Sequence, residues 1–182
     1  MQRIQKIDVA AASPQTKNLL AVVKTQMGGV PNLILTMAHS PAALGGYLGI
    51  AGALAKGVLD PKLREQIAVA VAGANACDYC ASAHTLLGKN AGIDRDELHQ
   101  NLTGVSADPK TGVALAFVVK IVRERGHISD ADLAAVRSAG FSEDEIIELV
   151  THTAMNIFTN YFNHIARTEI DFPIVATTRA AA

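Results

Sequence analysis

The chain has 182 residues and a formal net charge of −1, sixteen Lys and Arg standing against seventeen Asp and Glu. That balance excludes a strongly basic nucleic-acid binder and an acidic tail protein. The residues are 49% hydrophobic but only 4% aromatic, with no Trp, which excludes disorder and favours closely packed helices over a β-sandwich.

Met1 to Asp8 has no apolar run of signal-peptide length. Pro14 opens a short apolar helix that should end near Gly28-Gly29, and Pro31 opens another to about Ala38. Gly28 to Ala55 carries no Asp, Glu, Lys or Arg. Its uninterrupted part, Ala42 to Ala55, falls short of the roughly 20 residues a membrane span needs. With Gly45, Gly46, Gly49 and Gly52, it reads as a buried helix packed on another helix or subunit through its glycine face. Ser40-Pro41 caps it and Gly57 closes it. Asp60-Pro61 starts a helix to about Asn75, and Cys77 to Cys80 opens the next, which stops at Gly92. Asp94-Arg95-Asp96-Glu97 reads as a capping box for a one- or two-turn helix. Asp108-Pro109 starts a long helix ending at Gly126, and Ser129 caps another ending at Gly140. Ser142-Glu143-Asp144-Glu145 is a second capping box, for a helix running to Arg167. The tail from Phe172-Pro173 is irregular, with a mobile end expected at Ala180 to Ala182. A faint duplication relates Asp60–His84 to Ser142–His164, with a one-residue shift. No stretch alternates apolar and polar residues as a strand would. One all-α domain over residues 1–182, with an N-terminal helical arm, is the economical organisation. Its default location is cytoplasmic, since two cysteines three apart cannot staple a secreted domain.

Cys77-Asp78-Tyr79-Cys80-Ala81-Ser82-Ala83-His84 is the most informative stretch. If a helix begins near Cys77, then Cys77, Cys80 and His84 share one face, with neighbouring Cβ atoms roughly 5–6 Å apart. A helix N-terminus favours a thiolate, so a cysteine pKa there should fall below about 8.5. His84 can take the Cys80 proton or, as imidazolium, stabilise the thiolate. Asp78 works against a second negative charge. A CxxC pair can close to a disulfide without moving the chain far, which suits a two-electron cycle. Zinc is the competing reading: Cys77, Cys80 and His84 supply three ligands where a structural site needs four. His39, His99, His127, His152 and His164 are the histidines left to complete it. Glu65 precedes an almost wholly apolar helical run. It is either a solvated first-turn acid or a carboxylate facing the cysteine helix and exchanging protons with His84. His152 and His164 read as interior or interface histidines with hydrogen-bond partners.

The pattern Glu65-x11-Cys77-x-x-Cys80-x3-His84 resembles the signature of the alkylhydroperoxidase D (AhpD) branch of the carboxymuconolactone decarboxylase family. The resemblance is strong over Gly57 to Gly92. The run Asn156 to His164 followed by Glu169-Ile170-Asp171-Phe172-Pro173 is similar to the C-terminal part of peroxidase-related members. The resemblance implies an AhpD-like helical bundle assembled as a homo-oligomer, a trimer or hexamer. It implies a CxxC that reduces hydroperoxides, or that passes electrons between dihydrolipoyl groups and a peroxiredoxin. In that scheme Cys80 is the attacking thiolate, Cys77 the resolving thiol, and Glu65 with His84 the proton relay. No bound metal or flavin is implied, only an external dithiol reductant such as dihydrolipoyl groups; the charge balance and the short apolar run leave no nucleic-acid or membrane partner expected. The family's peroxidases carry a second His immediately before the second cysteine; here that position is Tyr79, a phenol with a usual pKa of about 10. Two other classes remain: a cofactorless carboxymuconolactone decarboxylase-type lyase, which needs no thiols, and a zinc-stabilised helical module.

Overall fold

A computed structural model describes residues 1–177. The expected mobile end at Ala180 to Ala182 lies outside them. Among the described residues are nine helices and no strand. They are α1 (Pro14–Met27), α2 (Asn32–Met37), α3 (Pro41–Leu54), α4 (Pro61–Ala74), α5 (Asp78–Asn90), α6 (Arg95–Asn101), α7 (Pro109–Arg123), α8 (Asp130–Ser138) and α9 (Glu143–Ala166). Short polar residues start most of them. The side chains of Ser13, Ser40, Asp60, Asp108 and Ser129 each accept a backbone N–H from the first turn, satisfying donors a helix end leaves open. No described helix is long and apolar enough to cross a membrane.

The bundle is organised around α4. Its run Ile67 to Ala72 is at most 2% exposed at every residue, so the helix is covered on all sides, as an apolar-all-round helix must be. On one side α4 packs with α7 and α9 through Ile67, Val71, Leu115, Val118, Phe117 and Leu149, and Val136 of α8 joins the same core. On the other, a second core joins Leu20 and Val23 of α1, Leu33, Ile34 and Met37 of α2, and Leu44 of α3 to Cys77 and Cys80. The N-terminal helices therefore form the apolar bed beneath the cysteines.

Three expectations need correction. The Ala42–Ala55 helix is not buried within the chain: only Leu44 and Leu54 of α3 are, and a Cβ on Gly45, Gly46, Gly49 or Gly52 would meet nothing within 4 Å. Apolar composition reports what a helix avoids; it does not supply the element that covers it. Glu97 is not the closing half of a capping box. Its carboxylate instead accepts from Gln66 Nε2 (3.0 Å), Asn101 Nδ2 (2.8 Å), Ser106 Oγ (2.6 Å) and Ala107 N (3.0 Å), which ties α4 and α6 to the loop before α7. The duplication fails too, because α9 is continuous where α4 and α5 are broken apart by a turn at Ala76. Ala76 has φ 54°. Across it Cys77 N–H donates to Ala72 O at 2.9 Å and Ala76 N–H to Gly73 O at 3.1 Å. Both bonds satisfy carbonyls left open at the helix end.

Candidate active site

That turn delivers Cys77 to the N-cap of α5. Its sulfur takes the capping role, accepting Cys80 N–H at 3.4 Å. Cys80 follows in the first turn, where the helix end contributes partial positive charge. Both cysteines are free and buried. Cys77 Sγ donates to Cys80 Sγ across 2.9 Å, well beyond a disulfide bond of about 2.05 Å. A third contact comes from α9: Asn163 Nδ2 donates to Cys80 Sγ at 3.3 Å.

These contacts separate the two thiols electrostatically. Cys80 is lowered to about 7, chiefly by the hydrogen bond from Cys77, with help from the His84 charge and the amides of Asn163 and Asn160, against the cost of burial. Cys77 is pushed up by donating that same bond and by burial. Asp78 adds to the rise at Cys77; its Oδ1 accepts the Thr177 N–H at 2.8 Å. The thiolate therefore belongs to Cys80 and the proton to Cys77.

Glu65 on α4 and His84 on α5 meet, with Nδ1 2.8 Å from Oε2, and their side chains are about one quarter exposed. Burial works to lower the His84 pKa. The hydrogen bond and charge of Glu65, with the Cys80 charge, outweigh it and raise His84 above its ordinary value. No hydrogen bond joins His84 to Cys80 among the described residues. Glu65 and His84 instead line a cavity of about 380 Å³ shared with Tyr47, His152, Met155 and Asn156. Tyr47 is pushed up to about 12 by burial and then by the charges of Cys80 and Glu65, so its hydroxyl keeps its proton.

Residues 41–124 match the sequence profile of the Carboxymuconolactone decarboxylase family. A solved structure, the alkylhydroperoxidase AhpD core of an uncharacterized peroxidase-related protein from Ralstonia eutropha JMP134, superposes with a TM-score of 0.85 at 24% identity, covering 93% of this chain and 92% of that one. Over residues 41–124 the chain resembles the carboxymuconolactone decarboxylase family, and as a whole it has the AhpD-core fold. A peroxidase-related protein from Silicibacter sp. TM1040 shares the fold at TM-score 0.79, 24% identity and 92% coverage of both chains. So does the debrominase Bmp8, seen as a cysteine-to-alanine variant with 2,3,4-tribromopyrrole, at 0.78, 20% identity, and 92% and 91% coverage. No curated protein matches the chain in sequence.

Tyr79, the residue immediately before Cys80, is engaged elsewhere in the structure. Its hydroxyl donates to Asp171 Oδ1 at 2.9 Å and accepts Leu33 N–H at 3.0 Å. Asp171 Oδ2 accepts Asn32 N–H at 2.8 Å. The open N–H groups of short α2, whose N-cap is Pro31, are thus satisfied by distant residues. Burial raises the Tyr79 pKa. Tyr79 is a latch between α5, α2 and Asp171 beyond the end of α9, its hydroxyl engaged on both sides.

The two late histidines also differ from expectation. His164 is exposed, 3.3 Å from Ala76 O through Nε2. His152 is interior, but its Nε2 has no partner among the described residues, and burial with the Arg64 charge keeps its pKa low. The helical period of α9 turns 152, 156, 160 and 163 inward and 164 outward. His152, Asn160 and Asn163 are the site residues that sequence reasoning left without a role. A signal existed: Asn156, Asn160 and Asn163 repeat at four and three residues, and amides on a buried helical face need something to bond. Replacing Asn163 with Ala should raise the Cys80 pKa and slow iodoacetamide alkylation of Cys80 at pH 7 by roughly 3- to 10-fold. In the parent protein that rate should climb with pH up to about 7 and then level. An unchanged profile in the variant would remove the amide from the account.

No group of three or more His, Cys, Asp or Glu among the described residues is placed to hold a metal ion.

Proposed function

We propose that this protein is a thiol-dependent peroxidase whose Cys77–Cys80 pair reduces hydroperoxides. One arrangement carries the proposal: a Cys80 sulfur favoured as thiolate, a second thiol 2.9 Å away, and a carboxylate-paired imidazole beside them. The Cys80 thiolate attacks the terminal oxygen of a hydroperoxide. The O–O bond breaks, its electron pair leaves with the distal oxygen, and that oxygen takes a proton from the His84 imidazolium. Glu65 remains a carboxylate and holds the imidazolium in place. Cys80 is now a sulfenic acid. Cys77 sulfur attacks it, hydroxide leaves with the Cys77 proton as water, and a disulfide forms. His152, whose Nε2 has no partner among the described residues and which lines the cavity of Glu65 and His84, would donate to or accept from the substrate's polar end. An external dithiol then restores both thiols.

The test is stoichiometric. A hydroperoxide should consume two thiols per chain and yield one intramolecular disulfide; two unreacted thiols would reject the proposal. Because the fold is shared with a debrominase, thiol-dependent removal of halogen from a halogenated ring is the second reading, and halide release without peroxide consumption would select it. A decarboxylase-type lyase would keep its activity with both thiols alkylated.

We also place a contact between copies of the chain on the open face of α3 and α9. Ala42, Gly46 and Ile50 face Ala154 and Phe158 there across a cavity of about 340 Å³. A single-chain mass by light scattering would remove it.

A further inference from the structure

Cys77 borders a cavity that shares no lining residue with the Glu65–His84 cavity. This cavity, of about 500 Å³, is lined by Cys77, Arg3, Asn163, His164, Arg167 and Thr168, together with Asp78. Cys80 is not among its lining residues, and neither cysteine lines the Glu65–His84 cavity. The lining is cationic. Neither Arg3 nor Arg167 has a carboxylate partner among the described residues. The one acid, Asp78, already accepts the N–H and the hydroxyl of Thr177 through Oδ1. The inner wall is polar: Asn163 Oδ1 and Thr168 Oγ1 are buried with no hydrogen-bond partner among the described residues. Two non-glycine residues in the left-handed region also border it, Ala76 (φ 54°) and Arg167 (φ 49°). Each holds a conformation that ordinarily favours glycine.

We infer that this cavity admits the reductant, and that the reductant is an anionic, carboxylate-bearing thiol, held by Arg3 and Arg167 while its sulfur attacks Cys77. The inference rests on the redox reading above and adds the site, charge and target of the second half-reaction. The chemistry selects the same sulfur as the geometry. Thiol–disulfide exchange is faster when the departing thiol has the lower pKa, and Cys80 is the low one of the pair. The incoming thiolate bonds to Cys77 sulfur, the Cys77–Cys80 bond breaks, and the electron pair leaves with Cys80 as thiolate. A second thiol of the reductant then attacks the mixed disulfide. It closes the reductant's own disulfide and releases Cys77, which takes a proton from solvent. Two electrons pass from the dithiol to the protein. The reductant thus attacks the Cys77 end of the disulfide, and Cys80 is the sulfur released as thiolate for the next peroxide.

The experiment compares dihydrolipoate with dihydrolipoamide, which carry the same two thiols and differ in one carboxylate. The disulfide is first closed with diamide, so the outcome does not depend on peroxide turnover. Dihydrolipoate should reduce it about 10-fold faster at low salt, as expected for a cleft of one sign acting on an oppositely charged ligand. The preference should shrink as ionic strength rises. The double variant Arg3→Gln/Arg167→Gln should bring the two rates within about twofold while leaving the dihydrolipoamide rate and peroxide oxidation unchanged. Acid-quenched reduction by mercaptoacetate should leave the mixed disulfide on Cys77. Equal rates for the two dithiols in the parent protein, or an adduct on Cys80, would overturn the inference. A disulfide that reduces with the expected charge preference but is never formed by peroxide would leave the inference standing and reject the peroxidase reading. Failure of diamide to close any disulfide would reject both.

Discussion

Replacing Cys80 with Ser is expected to slow peroxide consumption by on the order of 1,000-fold or more, the scale seen when an enzyme's nucleophile is removed. The reason is specific to this sulfur. Cys80 is the thiol lowered to about 7, while Cys77 holds its proton and donates it across 2.9 Å. The reciprocal variant should behave differently. Cys77→Ser keeps a hydroxyl that can donate to Cys80, so one equivalent of peroxide should still be reduced. The chain then stops at the Cys80 sulfenic acid, which a dimedone adduct would report by mass. Breaking the relay gives an intermediate result. Glu65→Gln removes the charge that raises His84, and the peroxide step should slow by about 100-fold, within the range for general acid catalysis. Equal loss in Cys77→Ser and Cys80→Ser during the first turnover would show that the two thiols are not differentiated, and the assignment of attacking and resolving roles would fall.

The second large effect is on stability. Gly73→Ala should destabilise the protein by roughly 3 kcal/mol, toward the upper end of the cost of overpacking a core. A Cβ at Gly73 would overlap the carbonyl oxygen of Leu102 and lie 2.8 Å from its carbonyl carbon. Leu102 is the C-cap of α6, and backbone cannot rotate aside as a side chain can. Thermal unfolding should therefore begin ~6–12 °C lower for a chain of this size. Gly52→Ala supplies the contrast. Its Cβ would meet nothing within 4 Å, and replacing an interior helical glycine gains about 0.5–1 kcal/mol. A small cost at Gly73 would mean that the α4–α6 contact is looser than the structure has it. A loss at Gly52 would instead point to a neighbour covering α3 in the assembled protein.

Much of the helical scaffold was legible because its starts are written locally. Ser13, Ser40, Asp60, Asp108 and Ser129 cap the helices that begin just after them. Pro at the first helical position marks four of those five. The reactive stretch was legible for the same reason: Cys77, Cys80 and His84 lie within one helix, so their spacing alone puts them on one face. Glu65 was not decidable. An acid in the early turns of a helix is commonly solvated, and only the packing of α4 on α5 brings its carboxylate 2.8 Å from His84. Glu97 failed for a related reason. A local bond back to the N-cap was available, but four donors from α4, α6 and the following loop outbid it.

Sequence by itself thus determined what depends on neighbours along the chain: an all-helical protein, the places where its helices begin, and a dithiol at a helix N-terminus with a histidine one turn later. The tertiary structure decided everything that depends on which elements pack together. It paired Glu65 with His84, brought the Asn163 amide to Cys80, turned Tyr79 into a latch on Asp171, and left the α3 glycines open. It also put Arg3, which has no carboxylate partner among the described residues, beside Arg167 at the end of α9 in one cavity with Cys77. Helix periodicity sets the face on which a side chain lies, but a partner more than a hundred residues away is set by the packing of the whole bundle.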